Sequence, residues 1–381
     1  MEPSVDALRR VVETARAGLV ERESLVEAIV LAAVAGEHVL VIGPPGTAKS
    51  EAVRRVARGL GGAYFEYLLG RFTEPNEIFG PIDLRRLREG AVETVTTGML
   101  PEAELAFLDE VFLGSTAILN TLLGILNERT FRRGSTVLKC PLRVCVGASN
   151  ALPEDESLAA FADRFLVRVF VEPVGDAFLE ALLEGGWALE RTAGAIDGVG
   201  MAPLDALATA ARAVDLGPAR PALAHAVRRL RQAGVTLPDR RIVRVQRLVA
   251  AAAVLDGRTT ATSADLWPIV WAVQTPEGQS LAREVLGELL AATQNRTLTA
   301  AAAEASAGPL ARAARVVEMG RTVLAARPDA ADLEGVGAWR RRIEGIARDI
   351  DAGFPANAHP PALAELRRDV VAVLGPPAAG A

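Results

Sequence analysis

Residues 43–50, GPPGTAKS, have the composition of a loop that binds phosphate groups. The usual pattern is G-x-x-x-x-G-K-[ST], and here only its second glycine is replaced, by Ala48. In such a loop backbone N–H groups surround the β-phosphate, Lys49 reaches the β- and γ-oxygens, and Ser50 offers its hydroxyl to Mg²⁺. The alternative is an ordinary turn rich in glycine and proline. The candidate nucleotide-binding residues are Gly43, Pro44, Pro45, Gly46, Thr47, Ala48, Lys49 and Ser50.

Two observations bear on whether this loop binds a nucleotide. A glycine before the lysine is required only where φ is positive or where a side chain would touch phosphate. A helix-like φ would accommodate Ala48, and this is the φ we expect. Arginine supplies 40 of the 42 basic residues, and Lys49 and Lys139 are the only lysines in the sequence. A lysine retained at position 49 is therefore less easily explained by chance.

Two predicted strand ends supply further polar groups. The run LAFLDE ends in Asp109 and Glu110, and the run RVCVGASN ends in Asn150. An aspartate beside a phosphate loop can hold Mg²⁺ through water, and the next glutamate can polarise the attacking water. The Asn150 amide could orient water or contact the γ-phosphate. Taken alone, the acids could be merely solvated and Asn150 could form a turn, but together with the loop they predict nucleotide hydrolysis.

Arginines occupy two further positions of interest. Arg164, in FADRF, follows a short helical pattern and could be an ordinary surface charge in an arginine-rich chain. Arg240 and Arg241 fall in the first turn of the helix that LPDRR opens. Cations are unfavourable at a helix start, so this placement is easier to understand if an anion binds there. We take Arg240 as the preferred ligand and Arg241 as the alternative.

The elements that position these residues alternate between strands and helices. Two helical patterns over 4–36 precede the strand EHVLVIG, the phosphate loop and a helix, which is the context that the motif requires. Further strands are predicted in AYFEYLLG, AELAFLDEVF and PLRVCVGASN, with a helix capped by Ser115 before the last. The alternation predicts an α/β fold with a parallel sheet covered on both faces. LREGAVETVTTGML predicts a hairpin around Gly90 and Gly98.

Beyond about residue 172 almost every segment has a helical pattern. We predict an αβα nucleotide-binding core over 1–175, an all-α lid over 176–288, and an Ala-rich helical C-terminal segment over 289–381 that ends in a loose tail. A linker is expected near 172–200. Trp267 and Trp271, at helical spacing, are expected to be packing residues.

Composition restricts the class of protein. The net charge of −5 and an aromatic content of 4% argue against a dedicated nucleic-acid binder, although Arg85, Arg86 and Arg88 could line a pore. Cys140 and Cys145 are expected to be buried, inert thiols, which fits a reducing cytoplasm. No signal peptide or membrane span is recognised, so we expect a cytoplasmic protein.

The motifs GPPGTAKS, FLDEVF, VGASN, ADRF and LPDRR, in this order, resemble those of AAA+ ATPases of the MoxR family. Stretches such as RFTEPNEIFGPIDL resemble its RavA-like subgroup, over about residues 1–285. Ala48 fits, since alanine before the lysine is common in this family. The resemblance implies that Asn150 is sensor 1 and that Arg240 is sensor 2, which ties the lid to the γ-phosphate. It implies that Arg164 is an arginine finger for the neighbouring subunit's nucleotide, and hence a homo-oligomeric ring, usually a hexamer.

The same resemblance implies ATP and Mg²⁺ as cofactors, an insertion hairpin over 88–100, and a position near the subunit interface for Glu128 and Arg129. It also implies a von Willebrand A domain partner and chaperone-like remodelling of an unidentified client protein. Residues 290–381 lack the β-rich insertion by which the best-known RavA proteins engage a lysine decarboxylase, so that partner is not expected. A slow nucleotide-gated scaffold in stress or defence remains an alternative, and a nucleic-acid translocase is a weaker one.

Overall fold

The computed structural model describes residues 1–192, 197–329, 331–354 and 359–375. Contacts divide the described chain into two compact units, Met1–Glu172 with Gly194–Ser306, and Pro173–Ala193 with Ala307–Ala381. By this criterion the α/β part and most of the predicted lid share a unit, and the three-domain division stays a prediction. Residues 193–196 of the predicted linker and the predicted tail after residue 375 lie outside the described residues.

Strands and helices alternate through the first part of the first unit, as the sequence predicts. The strands are β1 (Val39–Ile42), β2 (Tyr64–Leu68), β3 (Leu105–Asp109), β4 (Thr130–Arg133), β5 (Thr136–Lys139), β6 (Val144–Ser149) and β7 (Val167–Phe170). The helices are α1 (Glu2–Arg16), α2 (Glu23–Ala35), α3 (Lys49–Leu60), α4 (Pro75–Phe79), α5 (Leu84–Arg88), α6 (Thr116–Glu128) and α7 (Glu156–Ala162). The Ser115 hydroxyl accepts a hydrogen bond from the N–H of Ile118, so the predicted cap of α6 is present.

Five strands form one parallel sheet in the order β2-β3-β6-β1-β7, which confirms the predicted fold class. The central strands β1 and β6 are buried along their whole length, as continuous apolar runs in a covered parallel sheet should be. Val39 of β1 is level with Val146 of β6 and Val167 of β7. The carboxyl ends of the strands therefore meet at one edge of the sheet, and the amino ends meet at the opposite edge.

The hairpin predicted over 88–100 is wrong in position. The chain forms an antiparallel bridge between Ile82 and Thr94, with α5 between the two arms. The Asp83 carboxylate accepts hydrogen bonds from backbone N–H groups of the first turn of α5, which starts this helix just before the predicted hairpin and carries it into the first residue of that segment. The antiparallel pair β4–β5, which turns at Gly134 with a φ of +59°, was not predicted from the sequence. Its signal was the alternation of TFRRGSTVLK around that glycine.

Helices complete the first unit. They are α9 (Ala202–Arg212), α10 (Arg220–Gln232), α11 (Asp239–Leu255), α12 (Pro276–Val285), α13 (Gly287–Leu290) and α14 (Thr299–Ala307). Helix α11 packs against α2 and α9. Trp267 and Trp271 are buried with their rings edge to face at 5.4 Å, which confirms that they are packing residues.

The second unit contains α8 (Leu179–Thr192), α15 (Pro309–Ala325), α16 (Leu333–Gly353) and α17 (Pro361–Leu374), and its described residues include no strand. The Asp349 carboxylate accepts a hydrogen bond of 2.8 Å from the N–H of Asp176. The indole N–H of Trp339 donates to the carbonyl of Val323 at 2.7 Å. None of the described helices, in either unit, has the length and apolar character needed to cross a membrane.

Candidate active site

The loop at residues 43–50 connects the end of β1 to the start of α3, at the carboxyl edge of the sheet. Gly43 donates its N–H to the carbonyl of Ser149 at 3.1 Å, and a Cβ at position 43 would lie 2.2 Å from the carbonyl oxygen of Val171. Position 43 therefore requires glycine for packing. Helix α3 begins at Lys49 without a side-chain cap, so its first N–H groups can bind an anion.

Ala48 adopts a left-handed conformation, with φ +58° and ψ 24°. The helix-like φ expected from the sequence is wrong at this residue, because the loop enters α3 through a left-handed turn. Such a conformation costs an L-residue about 1–2 kcal/mol relative to glycine. The preceding peptide is held from outside the loop, since the Nε of Arg22 donates to the carbonyl of Thr47 at 2.8 Å.

Arg22 is a residue of this site that the sequence analysis missed. Only 4% of it is exposed, and it also donates to the carbonyls of Glu21 at 2.6 Å and Glu172 at 2.7 Å. Burial lowers the pKa of the Arg22 guanidinium. The side chain thereby connects the phosphate loop to the segments after α1 and after β7. Nothing in residue type distinguishes Arg22 from the many other arginines of the chain, and only the folded backbone reveals it.

The Lys49 ammonium group is buried within the loop. It donates to the carbonyls of Gly43 at 2.5 Å and Pro44 at 3.0 Å. Burial lowers the pKa of Lys49, whereas the nearby carboxylates of Asp109 and Glu110 raise it. The ends of β1 and β3 therefore bring the lysine and both acids into one electrostatic environment.

The predicted acidic and amide groups also meet at this edge. The Nδ2 of Asn150 donates to Oε1 of Glu110 at 2.6 Å, and the N–H of Glu110 donates to the Asp109 carboxylate at 3.0 Å. The two strands that carry them are hydrogen-bonded neighbours, with Leu108 level with Gly147. An amide in this position can orient the Glu110 carboxylate, which is the group suited to activate water.

The donors available for Mg²⁺ are the Ser50 hydroxyl and the Asp109 carboxylate. Within the described residues no cluster of three or more His, Cys, Asp or Glu side chains could hold a metal by itself. Mg²⁺ usually keeps several waters and binds one or two carboxylates together with substrate phosphates. The donor set of this chain fits such an ion, which would be held chiefly by the nucleotide.

Arg164 and Arg240 lie at the opposite, amino-terminal edge of the sheet. Arg164 lies three residues before β7, and the Arg240 guanidinium pairs with the carboxylate of Asp163. The start of β7 is level with the start of β1, whereas the phosphate loop follows the end of β1. Four residues of strand separate the edges by about 13 Å. The expectation that Arg240 contacts the γ-phosphate of its own subunit is therefore corrected, because the two groups lie at opposite edges.

Arg241 is a structural side chain, which corrects its place as the alternative nucleotide ligand. It is completely buried. Its guanidinium donates to the carbonyls of Ala272 at 3.0 Å, Phe165 at 3.1 Å and Leu166 at 2.6 Å, and to the Asp163 carboxylate at 3.0 Å. Burial lowers its pKa. These contacts fix the start of α11 against the sheet and leave no surface for a phosphate.

The other predicted interface residues differ from one another in exposure. The Nε of Arg164 is buried and has no hydrogen-bond partner within the described part of the chain. Glu128 is exposed, whereas Arg129 turns inward and donates to the carbonyl of Gly36 at 2.8 Å. Of these three residues, Arg164 is thus the one with a donor that the described residues of its own chain leave unsatisfied.

Comparison with known proteins identifies the family. Residues 6–208 match the model of the MoxR domain in the MoxR-vWA-beta-propeller ternary systems, over more than half of the chain. The chain belongs to the MoxR family of AAA ATPases. This MoxR protein is 34% identical over 261 residues to an uncharacterised protein of Methanocaldococcus jannaschii, covering 68% of this chain and 69% of that protein. A second protein of the same organism is 40% identical over 175 residues, and the match spans 46% of each chain.

Two further similarities are more distant. Chaperone MoxR1 of Mycobacterium tuberculosis is 28% identical over 171 residues, which cover 44% of this MoxR chain and 45% of that protein. The crystal structure of a candidate ATPase from Cytophaga hutchinsonii superposes with a TM-score of 0.61 and 14% identity, covering 77% of this chain and 96% of that one. At that identity the superposition supports the fold alone.

Proposed function

We propose that this MoxR protein hydrolyses ATP with Mg²⁺ in a homo-oligomeric ring. The position of two arginines relative to the phosphate loop carries this proposal. The phosphate loop and the candidate arginines Arg164 and Arg240 lie at opposite edges of the same sheet. This separation within one chain supports a site completed by a neighbouring subunit. In a ring, the amino-terminal edge of one subunit would face the carboxyl edge of the next.

In the proposed reaction, Lys49 and the N–H groups at the start of α3 bind the phosphates, and Ser50 and Asp109 hold Mg²⁺. The Glu110 carboxylate, oriented by Asn150, takes a proton from the attacking water. Arg164 of one subunit stabilises the charge that develops on the γ-phosphate of its neighbour, a contribution of about 10³-fold or more in turnover. Arg240 joins it from the same edge, which replaces the assignment to its own subunit.

The work of the ring is proposed to be the remodelling of a client protein in the cytoplasm, with a von Willebrand A domain protein as partner. Membership of the family found in MoxR-vWA-beta-propeller systems supports this partner. Two buried free cysteines, Cys140 and Cys145, support a reducing compartment. The motif resemblance, which is most specific over residues 36–172, supports the RavA-like subgroup. The requirement for a site shared between subunits supports a closed assembly such as a hexamer.

A mixing experiment tests the shared site. Lys49→Ala and Arg164→Ala are each expected to be nearly inactive. In a random mixture each site needs an intact Lys49 and a neighbour with an intact Arg164, so about a quarter of the sites should recover. Arg132→Ala, at an exposed position outside the site, is the matched control and should keep full activity alone. No recovery, with native mass spectrometry showing mixed assemblies, would reject Arg164 as a finger.

A further inference from the structure

A large basic cleft lies in the first unit, away from the phosphate loop. Its volume is about 1010 Å³. It opens at the amino-terminal edge of the sheet, where Glu37 precedes β1 and Arg143 precedes β6. The phosphate loop follows the opposite end of β1, so the cleft and the nucleotide site are separate places in one chain.

The walls of the cleft are strongly cationic. Arg240, Arg244 and Arg247 project from one face of α11, at spacings of four and three residues. Four more cations come from other elements, namely Arg129, Lys139, Arg143 and Arg212. The chain as a whole has a net charge of −5, so this concentration of positive charge runs against its composition.

Carboxylates compensate only part of this charge. Glu37 is completely buried and accepts hydrogen bonds from Arg244 at 2.9 Å and Arg247 at 3.1 Å. Asp205 pairs with Arg143 at 2.8 Å, which leaves the buried Nε of Arg143 without a partner among the described residues. Glu37 and Asp205 are the carboxylates among the described lining residues, and Asp163, outside the lining, pairs with Arg240.

Lys139 and Arg212 have no ion pair within the described residues. Lys139 is one of only two lysines in the chain, and the nucleotide site does not use it. Cations held close together raise each other's free energy unless an anion lies among them.

We propose that this cleft binds a compact polyanion with linked phosphate groups. The cations surround one volume from helices α9 and α11, from the residue after α6, from the end of β5 and from the connection between β5 and β6. This arrangement suits a small ligand better than an extended chain. Arginine pairs with phosphate through two parallel hydrogen bonds. The described lining residues include no aromatic side chain on which a base could stack, so recognition rests on phosphate.

Titration calorimetry with inorganic tripolyphosphate tests the proposal. The full-length Lys49→Ala variant serves as background, because it removes phosphate binding at the loop. We expect one tripolyphosphate per chain, with an affinity that falls as salt is raised. Adding Lys139→Gln and Arg212→Gln should weaken binding at least tenfold, since each removes a charged donor. Adding Arg85→Gln and Arg88→Gln instead, at exposed positions outside the cleft, should change it less than twofold.

The outcomes separate this site from the nucleotide site. Binding that vanishes in Lys49→Ala would assign all phosphate binding to the loop and overturn the proposal. If tripolyphosphate binding is unchanged by Lys139→Gln and Arg212→Gln, and circular dichroism shows an intact fold, the anion binds outside the cleft and the proposal is overturned as well. Titrating ATP in parallel distinguishes the two kinds of ligand that carry linked phosphates. Equal affinities for ATP and tripolyphosphate indicate a free polyphosphate, and tighter binding of ATP indicates a nucleotide. ATP hydrolysis by the wild type is measured separately, so failure of either proposal is recognised by itself.

Discussion

The left-handed conformation of Ala48 gives a prediction of unusual sign. Ala48 has φ +58°, and glycine adopts this conformation without the steric cost of about 1–2 kcal/mol that alanine carries. Glycine also loses more backbone entropy on folding, by about 0.5–1 kcal/mol. Ala48→Gly should therefore raise the free energy of unfolding by about 0.5–1 kcal/mol. In most helix-entry positions the same change would lower it.

Ala224→Gly is the matched control. Ala224 lies inside α10, with ordinary helical geometry, and is exposed like Ala48. Glycine there should lower the free energy of unfolding by about 1 kcal/mol. The two variants carry the same chemical change at exposed positions, so their difference of about 2 kcal/mol isolates the backbone conformation.

Differential scanning calorimetry of the nucleotide-free protein measures both changes. Ala48→Gly should raise the midpoint by about 1–3 °C, and Ala224→Gly should lower it by a similar amount. Ala48→Val should lower it as well, because a β-branched side chain is poorly tolerated at positive φ. If Ala48→Gly destabilises the protein as much as Ala224→Gly does, the loop enters α3 with a helix-like φ and the conformational reasoning fails.

Three further predictions concern other residues. Glu110→Gln should lower ATP turnover, measured by phosphate release, at least 100-fold. ATP affinity, measured by filter binding, should stay within about threefold, and unchanged turnover would exclude Glu110 as the base. Arg22→Gln should weaken ATP binding at least tenfold, and adding Ala48→Gly to this variant should partly restore the affinity. An unchanged ATP affinity in Arg22→Gln would mean that the contact with the Thr47 carbonyl does not position the loop. Burial raises the pKa of Glu27 to about 7 from 4.5, so the stability it contributes is complete below about pH 4.5 and is lost as the pH rises through 7. Glu27→Gln should remove up to about 3 kcal/mol of the decline in the free energy of unfolding between pH 5 and 8, as measured by urea unfolding. An unchanged pH profile would show that Glu27 does not cause the decline.

Short-range information determined much of this protein. The order of strand, loop and helix around Lys49, the acidic end of β3 and the amide end of β6 are all legible in consecutive residues. Because parallel strands align their carboxyl ends, these local patterns also imply that Glu110 and Asn150 lie close together, as their 2.6 Å contact shows. The buried tryptophan pair and the fold class follow from the same periodicity.

Tertiary structure decided the rest, and the reason is the distance along the chain between interacting groups. Arg22 contacts residue 172 through a backbone carbonyl, and a carbonyl has no signature in the residue types. The left-handed φ of Ala48 depends on how the loop meets α3, not on alanine itself. Arg240 and Arg241 are adjacent in sequence, yet one is half-exposed and the other buried among carbonyls of residues 165, 166 and 272. The sequence places arginines near a helix start, but only the packing of α11 on the sheet determines the edge they occupy.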